Sequence, residues 1–244
     1  MIKKKTLINF FSPQKCPICR EILPLGNEGD GVMCPMCRLK WTYEKQKLCA
    51  ECGLPAYLCT CLPGQMRTAG VETLLKLCFY DTDSGSAGDR LVIYMKDYRD
   101  SRVFRFIAKE MCDHLLKHLR GNGIDEKEVV FTYAPRSRAM IEKRGFDQAK
   151  MIARECACYT EAYFAQVMTR KYFTKRQKGL GRKARQENAK KSFSLVKNID
   201  LRGRTVILVD DVVTTGSSFA ECTRLLISAG AARVICLCVA KTGN

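Results

Sequence analysis

The chain lacks any apolar run long enough to cross a membrane, since a spanning helix needs about eighteen or more consecutive apolar residues. Its first residues, Met1 to Phe11, are basic and then briefly apolar. They lack the length and the small-residue cleavage site of a secretory signal. These absences argue against a membrane-spanning or secreted protein, and they predict a frayed N-terminus and a cytoplasmic location.

Acidic residues and histidine are also scarce. The 244 residues include 25 Asp and Glu against 42 Lys and Arg, which gives a formal net charge of +17. The two histidines, His114 and His118, have helical i, i+4 spacing but no third metal ligand nearby in the sequence, so an ordinary helix surface is predicted. Between Arg170 and Lys191 ten basic residues accompany one acid, Glu187. On composition alone, this segment could be either a solvated charged loop or a functional loop.

Cysteine, by contrast, is abundant: the chain has 15, and eight of them lie in closely spaced pairs before residue 62. In a chain without a secretory signal, paired cysteines favour metal binding over disulfides. The simplest assignment is two structural zinc sites, one formed by Cys16, Cys19, Cys34 and Cys37 and the other by Cys49, Cys52, Cys59 and Cys61. A cross-braced pairing, and a single zinc with leftover thiols, both stay open. Trp41 is expected to pack on one of the cysteine turns.

Beyond Pro63-Gly64, short β-branched runs alternate with stretches of helical periodicity. We therefore predict a parallel α/β sheet in residues 69–244, preceded by a small cysteine-rich zinc-binding module in residues 1–68. The predicted strands are Val71–Tyr80, Val129–Tyr133, Tyr163–Met168, Thr205–Asp211 and Arg233–Val239. The predicted helices are Gly88–Tyr98, with Ser86 as N-cap, Arg102–Leu119, and Arg138–Cys158 with an interruption at Arg144–Gln148.

The most informative stretch is Val206–Ser218. Four apolar residues predict a buried strand, two acids follow it, and a short loop of Thr, Gly and Ser leads into a helical pattern. Ser218 and Glu221 have the spacing of a capping box, which predicts the start of a helix. Free backbone N–H groups at a helix start, with Gly216 beside them, would form a phosphate cradle. The alternative is an ordinary β-turn-α unit whose acids only solvate the strand end.

This order of residues closely resembles the PRPP-binding signature of the type I phosphoribosyltransferases, where PRPP is 5-phosphoribosyl 1-pyrophosphate. The resemblance implies a type I phosphoribosyltransferase-like fold, with Asp210 and Asp211 as the catalytic acids that hold the ribose hydroxyls. It implies a site for the 5′-phosphate formed by Thr214, Thr215, Gly216, Ser217 and Ser218. It also implies a Mg²⁺ ion that bridges the ribose hydroxyls and the pyrophosphate.

Nearly the whole chain resembles the ComF family, in which a cysteine-rich zinc module precedes a phosphoribosyltransferase-like domain. The matching segments are Cys52–Pro55, Leu91–Asp100, the stretch from Pro135 through Arg138 and Arg144 to Gln148, and Gln177, Leu180, Arg185, Asn188 and Phe193 in and after the basic segment. The sequence departs from the family at two positions that concern the site. Arg136 ends a Tyr-Ala-Pro-Arg stretch where the family usually has Pro-Val-Pro-Leu, and Asp147 replaces an asparagine.

The resemblance implies that Arg136 or Arg138 faces the pyrophosphate, that Arg144 belongs to the same ligand-binding set, and that the 170–191 segment closes over the ligand. No base-recognition pocket is visible in the sequence, so no acceptor can be named and turnover stays open. One reading is a phosphoribosyltransferase, or a PRPP-binding protein without that activity. The others are a competence factor that binds single-stranded DNA and DNA-uptake proteins, and a regulator that senses PRPP. The basic segment suits DNA, because backbone phosphates dominate nucleic-acid affinity.

Overall fold

A computed structural model describes residues 13–24, 31–81, 84–170 and 192–243. The basic segment from residue 171 to residue 191 lies outside the described residues. The helices are α1 Pro35–Gln46, α2 Gly64–Arg67, α3 Ala87–Asp97, α4 Ser101–Gly121, α5 Arg138–Arg144, α6 Gln148–Thr160 and α7 Ser217–Ser228. The strands are β1 Thr73–Tyr80, β2 Val130–Tyr133, β3 Tyr163–Phe164, β4 Met168–Arg170, β5 Phe193–Leu195, β6 Thr205–Val213 and β7 Arg233–Thr242. Among the described helices, none combines the length and the apolar character that a membrane crossing requires.

Five strands form one parallel sheet in the order β1-β7-β6-β2-β3. The central strands carry nearly continuous apolar runs, such as Val206 to Val209 in β6, because helices cover both faces of the sheet. The prediction of a parallel α/β sheet is therefore confirmed. The predicted N-cap of α3 is also confirmed, since Ser86 accepts a hydrogen bond from the N–H of Asp89 at 3.1 Å.

The predicted strand Tyr163–Met168 is wrong. β3 contains only its first two residues, while Met168 begins β4, which pairs antiparallel with β5 in a separate two-stranded sheet. The last hydrogen bond between β3 and its neighbour joins the N–H of Ala165 to the carbonyl of Phe131 at 3.0 Å. Beyond it the chain leaves the sheet, and Val167 enters a hydrophobic core, where it is 1% exposed.

The sheet separates two hydrophobic cores. Side chains alternate along β6, so Ile207 and Val209 belong to one core and Val206 and Leu208 to the other. Helices α3, α4 and α6 cover the first core, and α2 and α7 cover the second. This doubly covered sheet leaves the carboxyl ends of its strands at one edge, where open α/β sheets bind their ligands.

The cysteine-rich module packs directly on the sheet domain. Trp41 of α1 is fully buried, and its ring meets that of Phe106 in α4 edge to face with 6.5 Å between centroids. The indole Nε1 donates to the carboxylate of Glu110 at 3.3 Å, and Lys45 pairs with the same carboxylate. Trp41 therefore anchors the module to α4, and its contacts are not confined to the cysteine turns. The division at residue 68 stays a prediction.

Candidate functional site

The acid pair lies inside β6 and not at its end. β6 continues through Val213 because β7 runs beside it as far as Lys241. On its other side, β6 is paired with β2 only up to Val209. Asp210 and Asp211 therefore lie where one edge of β6 becomes free, at the carboxyl side of the sheet.

The acid pair is already hydrogen-bonded by the protein. Asp210 Oδ1 accepts from the N–H of Asp211 at 2.8 Å, and Asp211 Oδ1 accepts from the N–H of Val212 at 2.9 Å. The other oxygen, Asp211 Oδ2, accepts from Nη2 of Arg136. Burial and the adjacent Asp211 carboxylate raise the pKa of Asp210 well above its usual range. The Arg136 guanidinium therefore pairs directly with the second acid of the two, Asp211.

Helix α7 begins at Ser217, two residues earlier than a capping box with Ser218 as N-cap requires. Its N-cap is Gly216, which has a φ of +74° and offers no side chain to cap the helix. The predicted capping box of Ser218 and Glu221 is therefore wrong. Glu221 instead accepts hydrogen bonds from Ser192 Oγ at 3.1 Å and from the N–H of Phe193 at 3.3 Å. A helix start without a side-chain cap leaves backbone N–H groups for an anion.

Hydroxyl groups surround this helix start. Thr214, Thr215 and Ser217 are exposed, and Ser218 is half-buried. Thr215 Oγ1 donates to Ser217 Oγ at 3.1 Å, and the N–H of Ser217 is directed at Thr215 Oγ1 over a longer 3.4 Å. The loop therefore offers side-chain donors beside the backbone N–H groups, which is the donor set that a phosphate needs.

The phosphate loop rests on the segment that follows the second cysteine group. A Cβ atom built on Gly216 would lie 2.7 Å from Met66 Cγ, 2.8 Å from Met66 Sδ and 3.3 Å from Pro63 Cβ. Met66 is fully buried in α2. Sequence reasoning missed this contact, because Pro63-Gly64 indicated only a boundary between domains. The loop after the second cysteine group is in fact part of the support of the site.

Arg136 is held in the site by its backbone as well as by its side chain. Its N–H donates to Asp147 Oδ2 at 2.9 Å, and Asp147 Oδ1 accepts from the N–H of Lys150 at 3.2 Å as the N-cap of α6. Burial raises the pKa of Asp147 although these two N–H groups and the Arg136 charge oppose it. Asp147 thus connects the start of α6 to the loop that carries Arg136.

Lys96 is a site residue that the sequence-based set omitted. Burial lowers its pKa, while the charges of Asp211 and Arg136 act on it in opposite directions. Its ammonium lies 5.0 Å from the centre of the Tyr80 ring. The sequence did contain a feature that could have identified Lys96, namely the Lys-Asp-Tyr-Arg segment that resembles the ComF family. That resemblance did not assign a function to the segment.

The three predicted arginines have different positions. Arg136 contacts the acid pair. Arg144 lies behind Lys96, where its Nη1 donates to the Lys96 carbonyl at 2.6 Å and to Asp97 Oδ1 at 2.8 Å. Arg138 is 77% exposed and pairs with Glu142 at 2.9 Å on the outer surface of α5. The structure therefore brings Arg136 and Arg144 to the site and leaves Arg138 outside it.

The eight N-terminal cysteines form two groups of four. In each group the ligand atoms lie within 4.8 Å of one another, and the members are those of the simplest sequence assignment. Sγ of Cys19 and Sγ of Cys34 are 3.7 Å apart, close to the edge of about 3.8 Å that a zinc tetrahedron with Zn–S bonds of about 2.3 Å requires. Both groups could therefore hold zinc. The described residues form no further group of this kind, and His114 packs instead on the Tyr57 ring at 5.0 Å.

A buried lysine adjoins the second cysteine group. Lys76 of β1 is 2% exposed, and its Nζ donates to the carbonyl of Cys59 at 2.6 Å. Although burial opposes it, backbone N–H groups of Cys52 and Glu51 lower the pKa of Cys49 to about 7. A four-thiolate zinc site carries a net charge of about −2, so the Lys76 ammonium offsets part of that charge inside the protein.

Comparison with known proteins assigns the class. The phosphoribosyl transferase domain family matches residues 108–244, which is more than half of the chain, so the chain belongs to that family and has the type I phosphoribosyltransferase fold. Within this class it is a ComF-like protein. It is 29% identical to the DNA utilization protein YhgH of Salmonella typhimurium over 233 residues, which cover 94% of this chain and 98% of that protein.

Two further comparisons found partial similarity. Competence protein F of Haemophilus influenzae is 36% identical over 90 residues, which cover 36% of this chain and 39% of that protein. The purine phosphoribosyltransferase structure from Pyrococcus horikoshii is 16% identical, covers 54% of this chain and 70% of that one, and has a TM-score of 0.34, which is too low to support an inference.

Proposed function

We propose that the chain binds PRPP, or a related ribose phosphate, at the carboxyl edge of β6. The observation that carries this proposal is the uncapped start of α7 at Gly216, directly beyond the two acids of β6. In the proposed complex the N–H and hydroxyl groups of residues 214–218 hold the 5′-phosphate. Asp211 accepts hydrogen bonds from the ribose hydroxyls, and Asp210 supports it from the same strand.

The proposed position of the pyrophosphate follows from the cations beside the acids. Arg136 pairs with Asp211, and Lys96 interacts electrostatically with the same acid, so the two cations carry the charge that a leaving pyrophosphate needs. In pentosyl transfer a nucleophile attacks C1 of the ribose while the bond from C1 to the pyrophosphate oxygen breaks, and the protein chiefly positions the groups. Such a site supports pentosyl transfer in principle. A regulator that senses PRPP would use the same contacts without an acceptor.

The Mg²⁺ ion that the resemblance pairs with PRPP does not fit here as an ion held directly by the acids. Mg²⁺ prefers an octahedron of oxygen ligands and is usually bound by one or two carboxylates. Three of the four carboxylate oxygens of the acid pair already accept hydrogen bonds from the protein, and one of the donors is a guanidinium. We therefore assign no step of the proposed function to Mg²⁺.

Titration calorimetry with PRPP tests the proposal. Asp211→Asn keeps the shape of the side chain and removes its charge, and we expect at least about tenfold weaker binding, because hydrogen bonds to charged groups are the strong ones. Asp200→Asn is the matched control, since Asp200 is an exposed acid paired with Arg202 at 2.7 Å. Ribose 5-phosphate is expected to compete with PRPP. Equal affinity of wild type and Asp211→Asn would remove the proposed pocket.

We also propose a second function, the binding of single-stranded DNA, together with contacts to DNA-uptake proteins. It is supported by the formal charge of +17, by the basic segment 170–191, and by relatives whose names refer to DNA utilization and competence. Replacing Arg182, Lys183 and Arg185 with glutamine is expected to weaken binding of a single-stranded oligonucleotide and to flatten its salt dependence. Fluorescence anisotropy at several salt concentrations measures both quantities. If neither changes, the basic segment does not bind DNA.

A further inference from the structure

Arg136 pairs with Asp211, the acid assigned to the ribose. Its side chain is 18% exposed and that of Asp211 is 8% exposed, so the pair is shielded from solvent. The Arg136 backbone is fixed as well by its hydrogen bond to Asp147. The guanidinium is therefore a built component of the site and not a surface side chain that happens to lie nearby.

We infer that Arg136 is a resident counter-ion that replaces Mg²⁺, so that this site binds ribose phosphates without a divalent cation. The inference rests on the proposed function. Arginine stays charged at all relevant pH values, and its five N–H donors can contact a carboxylate and a phosphoryl oxygen together. Nε of Arg136 is buried and has no hydrogen-bond partner among the described residues, so a donor remains for a ligand oxygen.

The neighbouring charges support the same conclusion. The charges of Arg136 and Arg144 both act on Lys96, and the Arg144 side chain donates a hydrogen bond from Nη1 to the Lys96 carbonyl at 2.6 Å. Arg144 is paired with Asp97, so Arg136 and Lys96 are the cations that would repel a divalent cation beside the acid pair and attract a pyrophosphate. Arg136 thus supplies positive charge at the place where a directly bound cation would otherwise supply it.

Calorimetric titration of the zinc-loaded protein with PRPP tests this inference. One titration is done with Mg²⁺ in excess over PRPP, and the other in buffer freed of divalent ions by a chelating resin, so that the cysteine groups are not exposed to a soluble chelator. We expect the affinity of wild type to differ by less than about threefold between the two buffers, because Arg136 supplies the positive charge at the acids in both of them. Wild-type binding that is lost without Mg²⁺ would overturn the inference.

The variant Arg136→Leu removes the guanidinium and leaves an apolar side chain. It is expected to bind PRPP at least about tenfold more weakly without Mg²⁺ and to recover most of that affinity when Mg²⁺ is added. Arg138→Leu is the matched control, because it removes a nearby arginine that is exposed and outside the site. Should Arg136→Leu not fold, Arg136→Lys keeps the charge and is expected to stay insensitive to Mg²⁺. An Arg136→Leu protein that ignores Mg²⁺ would contradict the inference.

A second measurement separates this inference from the proposed function. Mn²⁺ can be followed by electron paramagnetic resonance in the absence of any ribose phosphate. We expect no Mn²⁺ site at the acids in wild type and a new site in Arg136→Leu that is lost in Arg136→Leu/Asp211→Asn. A wild-type Mn²⁺ site that Asp211→Asn removes would overturn the counter-ion role alone. Absence of PRPP binding in both buffers would overturn the proposed function.

Discussion

Replacing Gly216 with alanine is expected to weaken PRPP binding by at least about tenfold and to lower the free energy of unfolding by about 2–4 kcal/mol. Two effects lower the free energy of unfolding. First, a residue with a Cβ is destabilised by about 1–2 kcal/mol when its backbone lies in the left-handed region, and Gly216 has a φ of +74°. The new methyl group would also lie 2.7 Å from Met66 Cγ, so the phosphate loop or α2 must move.

Gly203→Ala separates the two effects. Gly203 has a φ of +72°, but a Cβ built there meets nothing within 4 Å. This variant is therefore expected to lose only about 1–2 kcal/mol of stability and to bind PRPP normally. Thermal or denaturant unfolding measures the stability, and calorimetry measures the affinity. A Gly216→Ala protein that binds PRPP like wild type would show that the close contact with Met66 does not shape the phosphate loop.

Regular features of the sequence predicted most of the fold. The apolar run of β6 and the helical spacing in α3 and α4 are local patterns that depend on burial against a sheet, and the structure has these elements within one or two residues of the predicted limits. The strand predicted at Tyr163–Met168 failed because strand length depends on the partner strand. β2 is only four residues long, so β3 is short as well.

The acids and the hydroxyl loop of the site were predictable because they are adjacent along the chain, and Arg136 was predicted only through the family resemblance. Lys96 and Met66 were not predicted, because they reach the site from two other helices. Ser218 and Glu221 matched a capping box in spacing, yet the partners of Glu221 are Ser192 and the first residue of β5, Phe193, which lie distant from it in the sequence. Local spacing cannot show which of two competing partners a side chain will meet after folding.

Loss of zinc is expected to have different consequences in the two cysteine groups. Cys37→Ser affects the first group, whose buried members belong to the same hydrophobic core as Trp41 and Phe106. Because metal binding and folding are coupled in small cysteine modules, we expect a loss of several kcal/mol in the free energy of unfolding.

Cys61→Ser affects the second group, which leads within five residues to Met66 beneath the phosphate loop. We expect this variant to keep the main core and to lose affinity for PRPP.

Elemental analysis, unfolding and PRPP titration of the same samples check this prediction. Wild type is expected to contain two zinc ions per chain, and each cysteine variant one. Cys158→Ser is the matched control, because Cys158 is an exposed cysteine outside both groups. One zinc ion in wild type would reject the assignment of two sites. Normal PRPP affinity in a Cys61→Ser protein that has lost one zinc would show that the second group stabilises its own loop only. Lys76 connects the second cysteine group to β1, and Met66 lies between that group and the phosphate loop. Loss of zinc from this group would alter PRPP binding only if these contacts are rigid enough to transmit the movement.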